Sequence, residues 1–122
     1  MKITRDQVSN VTIRHVDSGS IRVGDELLHE SFALTAGEIF RDWPACDVGK
    51  LTKADFAPLI ASNPEMILLG TGSTTAYPPR ELVFSLARAG IGLEVMDTAA
   101  ACRTLNILVA DDRKVAAVLI LD

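Results

Sequence analysis

From Asn10 to about Phe40 apolar and polar residues alternate over short runs, VTIRHV, SIRV and ELLHESFALT, divided by DSGS and VGD. A period of two is the mark of strands with one buried face, and such close spacing predicts an antiparallel β-meander. Asp17-Ser18-Gly19 and Gly24-Asp25 supply residues that accept tight turns. EIFRDW adds a further strand before Pro44 interrupts the pattern. From Lys53 the spacing lengthens. KADFAPLIASNP places Phe56, Leu59 and Ile60 at helical intervals and stops near Asn63-Pro64, with Pro58 confined to a first turn. EMILLG then reads as a buried strand. PRELVFSLARAG follows as a helix, with Pro79 at its first turn, Leu82, Val83 and Leu86 on its inner stripe and Gly90 as its C-terminal cap. GLEVM is a strand, TAAACRTLNILVADD a helix with Thr98 as N-cap, and KVAAVLIL a last strand.

Strand–helix–strand–helix–strand in the second half calls for parallel strands covered by helices. The expectation is an α/β fold in three layers, with a central mixed, mainly parallel sheet and an N-terminal β-meander. The 122 residues, 48% of them hydrophobic, suit one domain spanning 1–122 and a core built without metal or disulfide. At 5% aromatics, that core is made mainly of Val, Ile, Leu and Ala.

Charge narrows the partners. A net charge of −4 and a pI near 5.1 argue against nucleic acid and against an acidic membrane surface. No apolar run approaches the ~20 residues a membrane helix needs. The polar start MKITRDQVSN carries no signal segment, so a cytoplasmic location is expected. Cys46 and Cys102 lie far apart with no CxxC or Cys/His cluster, which gives no metal site. Two reduced thiols are expected, with a single disulfide as the alternative.

Candidate chemistry gathers at two places. After EMILLG, the loop Gly70-Thr71-Gly72 has the first two glycines of a dinucleotide fingerprint, but Thr75 takes the place of the third, and no Gly-Lys-Ser/Thr follows. The loop is therefore either a cradle for a small anion or a structural exit from the strand. If EMILLG and GLEVM are adjacent and parallel, their ends bring this loop to Asp97 and Thr98.

The helix after GLEVM is the other place. Ala99, Arg103, Asn106 and Ala110 share one stripe, while Cys102, Leu105, Leu108 and Val109 can face the core. Arg103 either grips a carboxylate or phosphate or forms an internal ion pair with Glu94 or Asp97. Cys102 is a nucleophile only if its thiolate is favoured; otherwise it is a buried, inert thiol. His15 and His29 fall in the β-rich half, and no triad or carboxylate pair can be assembled. Asp111-Asp112-Arg113-Lys114 read as a solvated turn.

The run from Leu68 to Leu121 resembles the Mth-type family of small domains, which includes adipogenesis-associated and mitochondrial complex I assembly factor relatives. The resemblance rests on Gly70-Thr71-Gly72, Pro79, GIGLEVM, the stretch Thr98 to Leu108 with its Arg103-Thr104 and Asn106, and Arg113. SIRVGDELLHESFALT is similar in kind to the family's front half, and Asp112 stands where many relatives have Glu. The resemblance implies a compact three-layer α/β fold with a central mixed sheet and no established catalytic mechanism. In the mitochondrial relatives it implies assistance in assembling a respiratory complex through protein contacts. The expectation is thus a noncatalytic interaction or assembly-assisting module with a protein partner and no cofactor. The alternative is a small-anion or metabolite-binding protein, or an enzyme, with a pocket at the Gly70-Thr71-Gly72 loop and the Thr98 helix start.

Overall fold

The computed structural model describes residues 4–7, 13–17, 19–35, 37–41, 43 and 47–122. Among these described residues, nine strands and three helices follow one another as β1 (Thr4–Gln7), β2 (Ile13–Asp17), β3 (Ser20–Val23), β4 (Glu26–Leu28), β5 (Phe32–Thr35), β6 (Glu38–Arg41), α1 (Ala57–Ile60), β7 (Met66–Gly70), α2 (Arg80–Arg88), β8 (Gly92–Met96), α3 (Thr98–Ala110) and β9 (Val115–Leu119). Short 3-10 turns at Val48–Lys50 and Lys53–Phe56 precede α1. A six-stranded sheet has the order β1-β6-β5-β9-β7-β8, and a separate antiparallel sheet has the order β2-β3-β4. The N-terminal meander and the mixed central sheet are as the periodicity implies.

Parallel pairing is narrower than the mainly parallel sheet expected. Among the described residues of this sheet, only β7 with β8 and β7 with β9 run parallel, while β1·β6, β5·β6 and β5·β9 are antiparallel. The reason lies in the connections. Helical crossovers join β7, β8 and β9, but β5 and β6 are joined by a hairpin, which enforces antiparallel pairing. ELLHESFALT is also not one strand. Its Leu28 closes the small sheet, and after His29 to Ser31 the chain enters the large sheet as β5, whose four residues are all buried.

β7 sits between β8 and β9, so the chain steps outward through α2 and returns through α3. Applied to an outward and a returning step, the same preferred crossover hand puts the two helices on opposite faces. The pleat of β7 and β9 then divides the core. Leu68, Val115, Ala117 and Leu119 pack under α3 and the small sheet, together with Ala101, Cys102 and Leu105. Ile67, Leu69, Ala116 and Val118 face Phe56, Leu59, Leu82 and Leu86 on the side of α1 and α2. Trp43 meets Phe56 edge-on there, with ring centroids 5.8 Å apart. Three layers result.

Local chemistry explains the helix ends. Gly90 adopts φ +81° just past α2, the left-handed conformation of a C-terminal cap. The N-cap of α3 is Asp97 rather than the expected Thr98: the Asp97 carboxylate accepts from Ala100 N at 2.8 Å, and Thr98 is the first helical residue. At the far end, Asp112 turns the chain with φ +60°, and Arg113 pairs with Glu65 on the surface. The hydrogen bond from Arg113 holds the Glu65 carboxyl below its usual range.

Candidate functional site

The parallel register of β7 and β8 sets Gly70 opposite Met96, so the segments leaving both strands start side by side. Thr71 N donates to Met96 O, and Thr98 N donates to Gly72 O, each at 2.9 Å. The Thr98 hydroxyl closes the junction, donating to Ile120 O at 2.6 Å and accepting from Gly72 N at 2.8 Å. Thr71 folds the loop on itself: its hydroxyl donates to Thr74 O at 2.8 Å and accepts from Ala76 N at 3.0 Å. Gly70 has no room for a side chain, because a Cβ would lie 2.9 Å from the Thr98 Cα. Gly72 adopts φ +102°, and a Cβ there would lie 2.6 Å from the Asp122 carboxylate.

Gly70, Thr71, Gly72, Asp97 and Thr98 are therefore brought together. Beside them lies a hollow of about 240 Å³ between the β2 end, the glycine loop and the start of α3. Asp17, Asp97 and Asp122 line it. Asp122 occupies the donors of Ser73, accepting from its N at 3.0 Å and from its Oγ at 3.1 Å. This contact joins residues 49 apart in sequence, and no local pattern announces it. The loop and the helix start thus hold carboxylates of their own chain.

Cys102, Arg103 and Asn106 sit elsewhere, along a second hollow of about 250 Å³ between α3 and β2. Asn106 is committed to structure. Its Oδ1 accepts from Ile13 N at 3.0 Å and its Nδ2 donates to Ile13 O at 2.7 Å, so the amide pairs with β2 as a neighbouring strand would. Arg103 is exposed and forms no ion pair among the described residues, so the internal bridge to Glu94 or Asp97 is not made. Val109, expected toward the core, is exposed, whereas Ala101 takes the buried place beside Cys102 and Leu105.

Cys102 is 1% exposed, and burial pushes its thiol up to about 12 from an ordinary 9.0, with Arg103 lowering it only in part. A thiol held protonated is a poor nucleophile. Because the folded state holds the proton more tightly, this group's contribution to stability is full below pH 9 and is lost as pH rises toward 12. Brief iodoacetamide treatment of the native protein at pH 8, followed by peptide mapping, should leave Cys102 unmodified, and unfolding in urea should expose it. Fast native labelling would show that its burial is not maintained in solution. Cys46, the other half of the alternative disulfide, lies outside the described residues. His15 Nε2 lies 2.9 Å from Asp17 Oδ2 on the surface. No group of three or more His, Cys, Asp or Glu among the described residues is placed to hold a metal ion.

A family model described as a protein of unknown function (DUF498/DUF598) matches residues 13–120. The chain belongs to this family. A segment of 74 residues is 36% identical to the 13 kDa major membrane protein of Francisella tularensis, covering 61% of this chain and 60% of that protein. Another of 62 residues is 40% identical to NADH dehydrogenase (ubiquinone) 1 alpha subcomplex assembly factor 3 of Danio rerio, covering 51% of this chain and 36% of that protein. The chain thus spans less than two thirds of either relative's own length. Among solved structures, the solution structure of a Mth938-like domain from Bordetella pertussis superposes with a TM-score of 0.74 at 28% identity, covering all of this chain (100%) and 93% of that one. The Mth-type resemblance read from the glycine loop and the α3 motif is the family that these comparisons show. One relative carries a membrane protein's name, while no helix among the described residues is long and apolar enough to cross a membrane.

Proposed function

We propose that this family member is a noncatalytic protein-interaction or assembly-assisting module. The observation that carries the reading is where the motif's polar groups point. Thr71, Thr98 and Asn106 spend their hydrogen bonds inward, fixing the loop, the helix start and β2, while the exposed Arg103 on α3 has no ion-pair partner among the described residues. Residues that anchor a rigid helix and leave its outer face available suit recognition better than turnover. The name of the Danio rerio relative, an assembly factor, supports the same reading. A cytoplasmic location fits it.

The test is affinity capture of the tagged full chain from its native cell, with any co-purifying protein then rebuilt into a complex from purified components. A stoichiometric complex is expected. Turnover of a metabolite by the pure chain at an enzymatic rate, or failure of every captured protein to rebind in purified form, would overturn the reading.

A second reading is a small-molecule site at the Gly70-Thr71-Gly72 loop and the Thr98 helix start, favoured by the adjacent hollow that Gly72, Asp97 and Thr98 line. Its carboxylate lining opposes an anion unless Asp122 is displaced. A thermal-shift screen of nucleotides, phosphates and carboxylates that stays flat at millimolar concentrations removes this alternative.

A further inference from the structure

We infer that the cleft between β2 and α3 docks an acidic side chain of a partner peptide, held by Arg14 and Arg103, with an apolar neighbour seated on Ile107. This inference rests on the interaction-module reading and names the chemistry of the partner.

Three observations converge on it. The first is charge. In a chain of net charge −4, the two arginines lining this hollow come from different elements, β2 and α3, and neither has an ion-pair partner among the described residues. The nearest carboxylate along β2, that of Asp17, is engaged by His15. Two guanidinium groups beside one apolar floor of Ile13, Val16 and Cys102 complement a carboxylate, which arginine can grip in two-pronged fashion.

The second is backbone geometry. The pairing of β2 with β3 slips between Ile13 and His15, so Arg14 is an extra residue without a partner on β3. Such irregularities re-aim a side chain. Here the whole run from Ile13 to Val16 borders the hollow, and Arg14, exposed and at the irregular position, is part of that border.

The third is the helix surface. Ile107 stands one turn beyond Arg103 and is 68% exposed. An aliphatic side chain left in water beside an uncommitted cation matches a peptide in which apolar and acidic residues alternate. The acidic overall charge makes a protein carboxylate a better match than a polyphosphate or a nucleic acid.

The experiment titrates the 15N-labelled full chain with a synthetic acetyl-Leu-Glu-Asp-Leu-Glu-Ile-amide peptide, and with its Gln/Asn counterpart. Amide shifts confined to residues 13–16 and 102–107 are expected from the acidic peptide, stronger at low salt and absent with the neutral one. Arg14→Glu with Arg103→Glu should weaken the interaction by about tenfold or more, from two lost and two repelling exposed charge pairs. Both substitutions are at exposed positions, and unchanged far-UV circular dichroism confirms that the fold is kept. No shifts at millimolar peptide, shifts centred elsewhere, equal binding of the neutral peptide, or indifference to charge reversal would each overturn the inference. A chain that forms a reconstituted complex in the capture experiment yet fails these tests keeps the interaction reading and loses only this docking site.

Discussion

Gly70→Ala is expected to lower the unfolding free energy by about 2–3 kcal/mol, as overpacking in a tight core does. Alanine is otherwise the better strand residue by roughly 0.5–1 kcal/mol, so the packing term must outweigh a favourable backbone term. It does so because the atom in the way is backbone. The added methyl would lie 2.9 Å from the Thr98 Cα and 3.1 Å from the Ala101 Cβ, and neither can rotate aside. Relief requires lifting the first turn of α3 from the sheet. Gly92, at the start of the neighbouring parallel strand, is the internal control: a Cβ there meets nothing within 4 Å. Urea unfolding of Gly70→Ala and Gly92→Ala should therefore separate widely, with Gly92→Ala near wild type or above it. Equal stabilities would mean that α3 does not press on β7 as described.

The second half of the chain was largely legible because each element there is defined by its own residues. GLEVM is β8 to the residue, and the apolar run before Gly70, the two helical stripes and KVAAVLIL fall on β7, α2, α3 and β9 within a residue or two. Helical crossovers make such segments nearly independent of distant sequence. The first half resisted where pairing is non-local. Thr4–Gln7 is a polar stretch with no apolar face to announce it, and it is a strand only because β6 offers an edge. ELLHESFALT alternates without a break, yet the chain changes sheets within it, since Leu28 belongs to one edge and Phe32 pairs with Leu119.

The candidate site divides in the same way. Adjacency of the glycine loop to Asp97 and Thr98 follows from two parallel neighbours and was readable. The carboxylate of Asp122 on the loop and the pairing of Asn106 with Ile13 depend on residues tens of positions away. The spacing of Arg103 and Asn106 suggested that they act as one unit. Instead both line one cleft, where the amide is bonded to Ile13 and Arg103 is exposed.

Thr98→Val carries the largest expected loss, about 2–5 kcal/mol, although it preserves the size and shape of the side chain. The hydroxyl serves two backbone groups at once, accepting from Gly72 N and donating to Ile120 O, at a residue only 5% exposed. Valine supplies neither function, and each buried group left without a partner costs about 1–3 kcal/mol. Threonine→valine is thus far from neutral at this point. Thr98→Ser separates the contributions, since it keeps the hydroxyl and removes one methyl, at a cost of about 1 kcal/mol. Equilibrium unfolding should rank wild type, serine and valine in that order, and hydrogen exchange at the Gly72 amide should accelerate only in the valine variant. The order also decides what the hydroxyl is for. A ligand-serving hydroxyl, free of the backbone, would let Thr98→Val fold as stably as Thr98→Ser. A hydroxyl that staples the glycine loop to α3 and to the strand end must make valine the weaker of the two, and then the rigidity of α3, on which recognition by its outer face depends, originates at this one side chain.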